Sequence, residues 1–373
     1  MNDILIIGGG LAGLTSAILL QQNGYQVSVF EKKKYPFHRV CGEYISNEVF
    51  PFLESLNIGI SESAYSRINR LAITSVSGKI LQADLPMGGF GLSRYKLDHL
   101  MYEQARRLGV EFIFEKVDNI FFKEGKFQIT TPGNTVYETP IAIAAYGKRS
   151  NLDQKLNRSF FYRRSPYLGV KYHIKTDLPG NLVRLDNFQG GYCGVSKIED
   201  DKFCLCYLSE TANLKKYSGI AEMEEAVLFK NPYLRSLFKN SEFLFESPEV
   251  INEISFEKKT LVENNLLFCG DSAGMITPLC GNGMAIAIHS AKILTDCIIN
   301  FAKKGSKVQR NTLEKEYKIQ WEKQFALRLK SGRLIQKLFG NTLISDLTVS
   351  TLGKLPGMTQ ILVKKTHGKA LIY

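Results

Sequence analysis

Several marks of specialised protein classes are missing from this chain. Its seven cysteines are an odd number scattered over 373 positions, so they cannot complete a disulfide framework, and their use fits a reducing compartment. There is no C-x-x-C pair and no H-E-x-x-H. A zinc site, a thioredoxin-like motif and a zinc protease therefore lack support, and no metal centre is expected. No stretch reaches about 18 uninterrupted apolar residues, so no membrane-spanning helix is expected. The apolar start, Ile4 to Leu20, lacks the basic flank of a signal peptide and is broken by glycines. Cytoplasmic residence is the corresponding expectation. Acidic residues run short toward the C-terminus: residues 301–373 hold 15 Lys/Arg against 4 Asp/Glu, whereas residues 1–300 hold 33 against 32.

What is present is ordinary globular composition. Apolar residues make up 44% and charged residues 23%, which excludes general disorder. At about 150 residues per domain, the length suggests two domains. The net charge of +12 is a property of the tail and not of the body. No recognition motif accompanies it, so nucleic acid is not an expected partner. Residues 306–373 are expected to form a helical basic region. It either caps the body with a solvated face or docks on an anionic membrane surface or an acidic carrier protein, the former placing the chain at the inner face of the membrane.

The first sixty residues form one recognisable unit. Ile4-Leu5-Ile6-Ile7 is a short apolar run of buried-strand type. Gly8, Gly10 and Gly13 follow in the spacing G-x-G-x-x-G, and Leu11 to Asn23 has the pattern of a helix that Gly24 stops. Val27 to Phe30 is a second strand, ending in Glu31 and followed by Lys32. Gly8 permits the tight turn, Gly10 lets a pyrophosphate approach the backbone, and Gly13 lets the helix pack on the strand. The helix start, at Leu11 and Ala12, offers free N–H groups to phosphate. Glu31 can accept both hydroxyls of an adenosine ribose and would repel a 2′-phosphate, which points to FAD or NAD.

A second signature favours FAD. Leu266 to Cys269 is a strand-like run that leads into Gly270-Asp271-Ser272-Ala273-Gly274, then Pro278 and Gly281-Asn282-Gly283-Met284, before a helix from Ala285 to Phe301. A carboxylate delivered onto a glycine turn suits a polyol, and a glycine turn opening a helix suits an anionic ring edge. FAD needs such a unit because its flavin lies far from its adenine.

The stretch CGDSAGMITPLCGNGMA resembles the GD signature of glutathione-reductase-type FAD proteins, and most of all the geranylgeranyl reductase and aromatic hydroxylase (para-hydroxybenzoate hydroxylase-type) superfamily. Arg39-Val40-Cys41-Gly42-Glu43-Tyr44-Ile45-Ser46 is similar to the R-x-C-G-x-x-(L/I)-S loop of the reductase branch. Arg94 to Leu100 is similar to its R-x-x-L-D-x-x-L segment. The resemblance implies that Asp271 binds the ribityl chain and that Gly281, Asn282, Gly283 and Met284 line the flavin pyrimidine. It also implies that Arg39, Cys41, Gly42, Arg94, Gly147 and Gly270 belong to the cofactor site. Arg39 is a candidate to hold pyrophosphate or a substrate anion, and Cys41 is the candidate catalytic residue.

The implied fold is α/β: a glutathione-reductase-type Rossmann-like FAD domain, a substrate domain built on a mixed or antiparallel sheet, and a helical C-terminal tail. The expected division assigns 1–60, 92–160 and 255–305 to FAD, 61–91 and 161–254 to substrate, and 306–373 to the tail. Alternation over 66–85 and 167–210 supports the second sheet. Phe160, Phe161, Tyr162, Tyr167, Tyr172, Phe188 and Tyr192 suggest an apolar pocket there, with Tyr192 a candidate substrate residue. Asn311 to Phe339 has the pattern of a long helix.

Departures from the family shape the functional expectation. An Asp-Gly pair linked to FAD and NAD(P)H is replaced by Tyr146-Gly147, which weakens the case for NAD(P)H as direct electron donor. The reductase motif P-x-x-Y-x-W-x-F-P is incomplete around Tyr192, and the tryptophan motif of flavin halogenases is missing; the single tryptophan, Trp321, is remote in sequence. The leading expectation is an FAD-dependent oxidoreductase acting on a lipophilic unsaturated substrate, isoprenoid- or polyketide-like. One alternative is a monooxygenase that hydroxylates a ring through a flavin C4a-hydroperoxide, although Gly274 stands where aromatic hydroxylases usually carry His. Another is a flavin-holding protein without turnover that docks by its basic tail.

Overall fold

The computed structural model describes residues 3–163, 165–252, 254–275, 277, 281–303, 310–336, 340–353 and 370–371. Its first sheet has six strands. Ile4–Ile7 lies near the centre, paired in parallel with Val27–Phe30 on one side and Ile141–Ala144 on the other. Glu111–Ile113 and Leu266–Phe268 extend the parallel sheet outward, and Val262–Glu263 closes one edge antiparallel. Helices cover one face, and the segment 119–139 packs against the other, where Tyr137 meets Phe30, so Ile4–Ile7 is apolar at every position and wholly buried. The crossover helix Leu11–Gln22 is buried from Leu11 to Leu20 and so carries no polar face in that stretch.

Helix Gly283–Lys303 packs against Leu11–Gln22 and against the long helix Arg310–Gln336. It is long and apolar enough to cross a membrane by composition. Ile288, Ala291, Leu294 and Ile298 are nevertheless fully buried in the body, so its apolarity serves the core. The expected helix Asn311–Phe339 corresponds to Arg310–Gln336; 337–339 lie outside the described residues, as do 306–309, 354–369 and 372–373 of the tail. Thr342–Gly353 forms a further helix.

The second sheet has nine strands. Tyr167–Lys175, Phe203–Glu210, Gly191–Lys197 and Leu182–Phe188 pair antiparallel in that order, and Leu182–Phe188 then pairs in parallel with Ser66–Thr74. Ile80–Gly91 follows, and Tyr44–Ser46 sits at its far end. Tyr44–Ser46 falls inside the 1–60 stretch expected in the nucleotide domain, yet it pairs with Gly89–Gly91 of the second sheet. The loop before it therefore crosses from one sheet to the other. A small three-stranded sheet, Asn119–Lys123, Lys126–Thr130 and Val136–Thr139, was not anticipated.

Candidate functional site

The first glycine turn has the geometry its spacing predicts. Gly8 has φ +106°, and a Cβ there would lie 2.5 Å from the Ala145 carbonyl oxygen. A Cβ on Gly13 would lie 1.9 Å from the Gly8 carbonyl oxygen, so strand and helix meet with no room for a side chain. Gly10 differs: the nearest atom to its Cβ position is an Arg94 guanidinium nitrogen at 3.6 Å. Gly10 is also the N-cap of Leu11–Gln22, with no side chain capping the helix. The turn thus presents open backbone, free N–H groups and a cation, which fits a pyrophosphate.

Four charged side chains brace this turn. Glu31 accepts from the Gly9 N–H at 3.1 Å and forms an ion pair with Arg39 at 2.9 Å. Arg39 also donates to Asp98 at 3.0 Å and to the Gly9 carbonyl at 3.3 Å. Asp98 in turn holds Arg94 through bonds of 2.6 and 2.7 Å. Burial works against the charge on Arg94, but Asp98 beside it, with Cys41 and Asp271 further out, raises its pKa above the usual guanidinium value. Arg39 lies one step behind the turn, tying Glu31 to Asp98, while Arg94 borders it. Lys32 is exposed to solvent.

The second glycine turn converges on the first. A Cβ on Gly270 would lie 2.8 Å from Ala12 Cβ, so the Asp271 turn sits directly on the opening of the nucleotide helix. Lys259, almost fully buried, donates to the carbonyls of Asp271 and Lys148, both at 2.7 Å, and ties this turn to the loop after Ile141–Ala144. Burial pulls the Lys259 ammonium down to about 8 against the opposing pull of Asp271. Arg158 donates to the Ser272 and Thr260 carbonyls at 3.0 and 2.8 Å. Gly281, at φ +65°, faces the Tyr44 ring, which a Cβ there would approach to 3.0 Å. Asn282 and Met284 are buried. Pro278 lies outside the described residues.

The Arg39–Glu43 loop is held by a cluster that sequence reasoning did not find. Glu43 is fully buried and sits at φ +55°, in the left-handed region. Its carboxylate accepts from Lys171 Nζ at 2.6 Å, from the Arg94 N–H at 2.8 Å and meets His173 Nε2 at 2.7 Å. Lys171 also donates to the Arg39 carbonyl at 3.2 Å, and the Cys204 thiol donates to the Cys41 carbonyl at 3.2 Å. Burial would raise the Glu43 carboxyl, but Lys171 and His173 outweigh it and hold it at about 2. Glu43, His173 and Cys204 lie close enough to hold a metal ion. The Lys171 ammonium already supplies the cation that this carboxylate needs. The signal available in the sequence was the alternation of Lys171 and His173 with apolar Val170, Tyr172 and Ile174, a pattern of a strand with one polar face.

Five of the seven aromatic expectations need correction. Tyr172 and Phe188 belong to the apolar layer between the second sheet and helices Ile220–Val227 and Pro232–Asn240, because strand alternation turns them away from Lys171 and His173. Phe160 lies beside Lys259, Phe161 lies under Arg149, and Tyr162 is exposed. Of the seven, Tyr167 and Tyr192 cluster together, with Leu208, Ile254 and Met275 of the Asp271 segment. Cys204 and Cys206 share the face that covers the Cys41 loop. Trp321, remote in sequence, lies against Gly274, whose Cβ position is 3.2 Å from its ring.

A family model described as an NAD(P)-binding Rossmann-like domain matches residues 6–48. The chain is 26% identical over 310 residues to digeranylgeranylglycerophospholipid reductase 1 of Methanosphaera stadtmanae, covering 76% of this chain and 71% of the relative. It is 25% identical over 338 residues to protein FixC of Salmonella typhi, covering 81% and 77%. Among solved structures it is similar to the flavin-dependent brominase Bmp2, with a TM-score of 0.79, 17% identity and 98% and 93% coverage. It is also similar to halogenase PltM in complex with phloroglucinol and FAD, with a TM-score of 0.73, 16% identity and 98% and 85% coverage. The fold is that of the flavoproteins: a Rossmann-like nucleotide domain joined to a mixed sheet.

Proposed function

We propose that this chain is an FAD-dependent oxidoreductase acting on a lipophilic, unsaturated small molecule of isoprenoid or polyketide type, by reduction of a double bond or its reverse. The observation that carries this is the convergence of the two glycine turns: Gly270 rests on Ala12, and Arg94 borders Gly10. A stretched dinucleotide gripped at both ends requires that arrangement, and a simple NAD site does not. Similarity to a digeranylgeranylglycerophospholipid reductase supports the substrate class.

Bound FAD would supply the two-electron chemistry. The protein supplies position and electrostatics. Gly10 and the helix start at Leu11 and Ala12 would receive the pyrophosphate, with Arg94 balancing its charge. Glu31 would accept the ribose hydroxyls. Asp271 would accept from the ribityl chain, held in place from behind by Lys259 and Arg158. Gly281, Asn282, Gly283 and Met284 would meet the pyrimidine edge. Gly42 and Gly147 have no atom within 4 Å of their Cβ positions, which leaves room beside the loops that carry them. Cys41 would face the substrate, on a loop clamped through Glu43 and the Cys41 carbonyl. Tyr192 would contribute to the apolar wall.

A surface groove would give an apolar molecule an approach. Gly88 and Gly89 help line an open groove of about 420 Å³, together with Phe50, Tyr65, Leu85 and Met87. The same two glycines back the Tyr44 ring that touches Gly281. Tyr146, which stands where the resembling family has Asp, donates to Asp153 at 2.6 Å and is thereby committed to the domain interior. That supports an electron donor other than free NAD(P)H.

The test is to reduce the purified yellow protein with dithionite under anaerobic conditions and add a geranylgeranyl lipid. Reoxidation of the flavin, with product gaining two hydrogens, is the expected result. A requirement for oxygen, with oxygen incorporated into product, would replace double-bond chemistry with hydroxylation. A colourless protein that takes up no FAD would refute both. NADH and NADPH should leave the flavin unbleached.

A further inference from the structure

The long C-terminal helix Arg310–Gln336 is two-faced in an unusual way. Leu313, Tyr317, Trp321, Phe325 and Leu329 are buried against the body. The opposite face presents Ile319, Lys323, Leu327, Lys330 and Leu334, spaced by four, four, three and four residues and therefore one continuous stripe. Leu327 is 76% exposed and Leu334 66%. From Lys323 to Gln336 there is no acidic residue. A water-facing helix surface ordinarily carries charges of both signs and few large apolar side chains.

The helix that follows, Thr342–Gly353, also exposes large apolar side chains, though it carries no basic residue. Leu343 and Leu347, one turn apart, are 81% and 70% exposed, and Ile344 lies beside them. Its one acid, Asp346, is turned to the body, where it accepts from the N–H and hydroxyl of Ser77 at 3.3 and 2.8 Å. The region 301–373, which contains both helices, holds nearly all of the chain's excess positive charge.

We propose that these two helix faces dock the protein on an anionic lipid bilayer, with the leucines entering the acyl boundary and Lys323 and Lys330 meeting lipid phosphates. Large apolar side chains interleaved with lysines on Arg310–Gln336, continued by exposed leucines on Thr342–Gly353 whose one acid is engaged by Ser77, are what an interfacial surface requires. An acidic protein partner would be met by the lysines but would not call for so many exposed leucines. This inference is independent of which reaction the flavin performs. A protein that holds its flavin and fails to float, or floats and turns over nothing, separates the two.

The experiment is flotation of the full-length, flavin-loaded protein with vesicles of phosphatidylcholine alone and with roughly 30% phosphatidylglycerol added. The wild type should float with the anionic vesicles and largely stay behind with the neutral ones, and about 0.5 M salt should weaken the binding. Leu327→Glu/Leu334→Glu and, separately, Lys323→Glu/Lys330→Glu should each lower binding about tenfold while keeping the wild-type flavin spectrum. Wild type that ignores anionic vesicles at low salt would overturn the proposal. So would unchanged binding in both variants. Light scattering supplies the remaining check: a dimer that Leu327→Glu/Leu334→Glu converts to monomer would assign the face to a second copy of this chain instead.

Discussion

The two faces of strand Tyr167–Lys175 are both buried, and by opposite chemistry. Leu168, Val170, Tyr172 and Ile174 meet an apolar layer under helices Ile220–Val227 and Pro232–Asn240. Lys171 and His173, from the alternate positions, meet the Glu43 carboxylate of the Cys41 loop. Each face also buries a carboxyl group, and the two are driven apart. Lys171 and the hydrogen-bonded His173 outweigh burial and hold Glu43 at about 2. Glu224, on the helix side, accepts from Tyr172 and Tyr207 at 3.0 and 2.8 Å, but burial dominates these bonds and raises its pKa. The lesson is that a buried carboxyl stays ionised where it has a full ammonium within reach, and resists ionisation where it has phenols.

The largest effect should come from splitting the charged pair. Lys171→Met leaves Glu43 buried beside a single imidazole and should cost about 3–5 kcal/mol in urea unfolding. The double variant Lys171→Met/Glu43→Gln should recover much of that loss. A double variant no better than the single would mean that Lys171 acts through packing alone. On the apolar face, Leu205→Ala removes a fully buried side chain and should cost about 3 kcal/mol, with no such rescue available from a neighbour.

The pH dependence should distinguish the faces as well. The Glu43 group has a folded pKa near 2 against an ordinary 4.5, so its contribution is fully present above 4.5 and is lost as pH falls toward 2. Glu224 has the opposite sign. Its folded pKa is raised, so the folded state keeps a proton that the unfolded chain has shed, and stability declines as pH rises past 4.5. Glu224→Gln keeps an oxygen for the two phenols and removes that decline. The smallest effect is expected here, a gain of less than about 1 kcal/mol at pH 7 in thermal or urea unfolding. A loss of stability in Glu224→Gln would show that the ionised form is what the tyrosines hold.

The contrast between the faces also marks what was legible beforehand. Alternation along 167–210 announced strands, and the apolar half of the pattern announced a buried face. Lys171 and His173 occupy the alternate positions, and local pattern carries no information about what covers a polar face. The aromatic residues misled for a related reason. Tyr172 and Phe188 share a composition with Tyr167 and Tyr192, but register sends them to the other side of the sheet. Tyr44–Ser46 was assigned with its neighbours in sequence, whereas its hydrogen bonds go to Gly89–Gly91.

The nucleotide turn and its acid were determined by the sequence alone, since a glycine's backbone freedom, a helix start and the end of a strand are local properties within some thirty residues. The second turn, too, was visible as a motif. Folding in three dimensions decided the rest: that Gly270 lands on Ala12, that Trp321 reaches Gly274, and that Glu43 finds Lys171 from 128 residues away. Those contacts depend on how separate elements pack, and a burial energy or a charge pairing has no value until the packing has placed both partners.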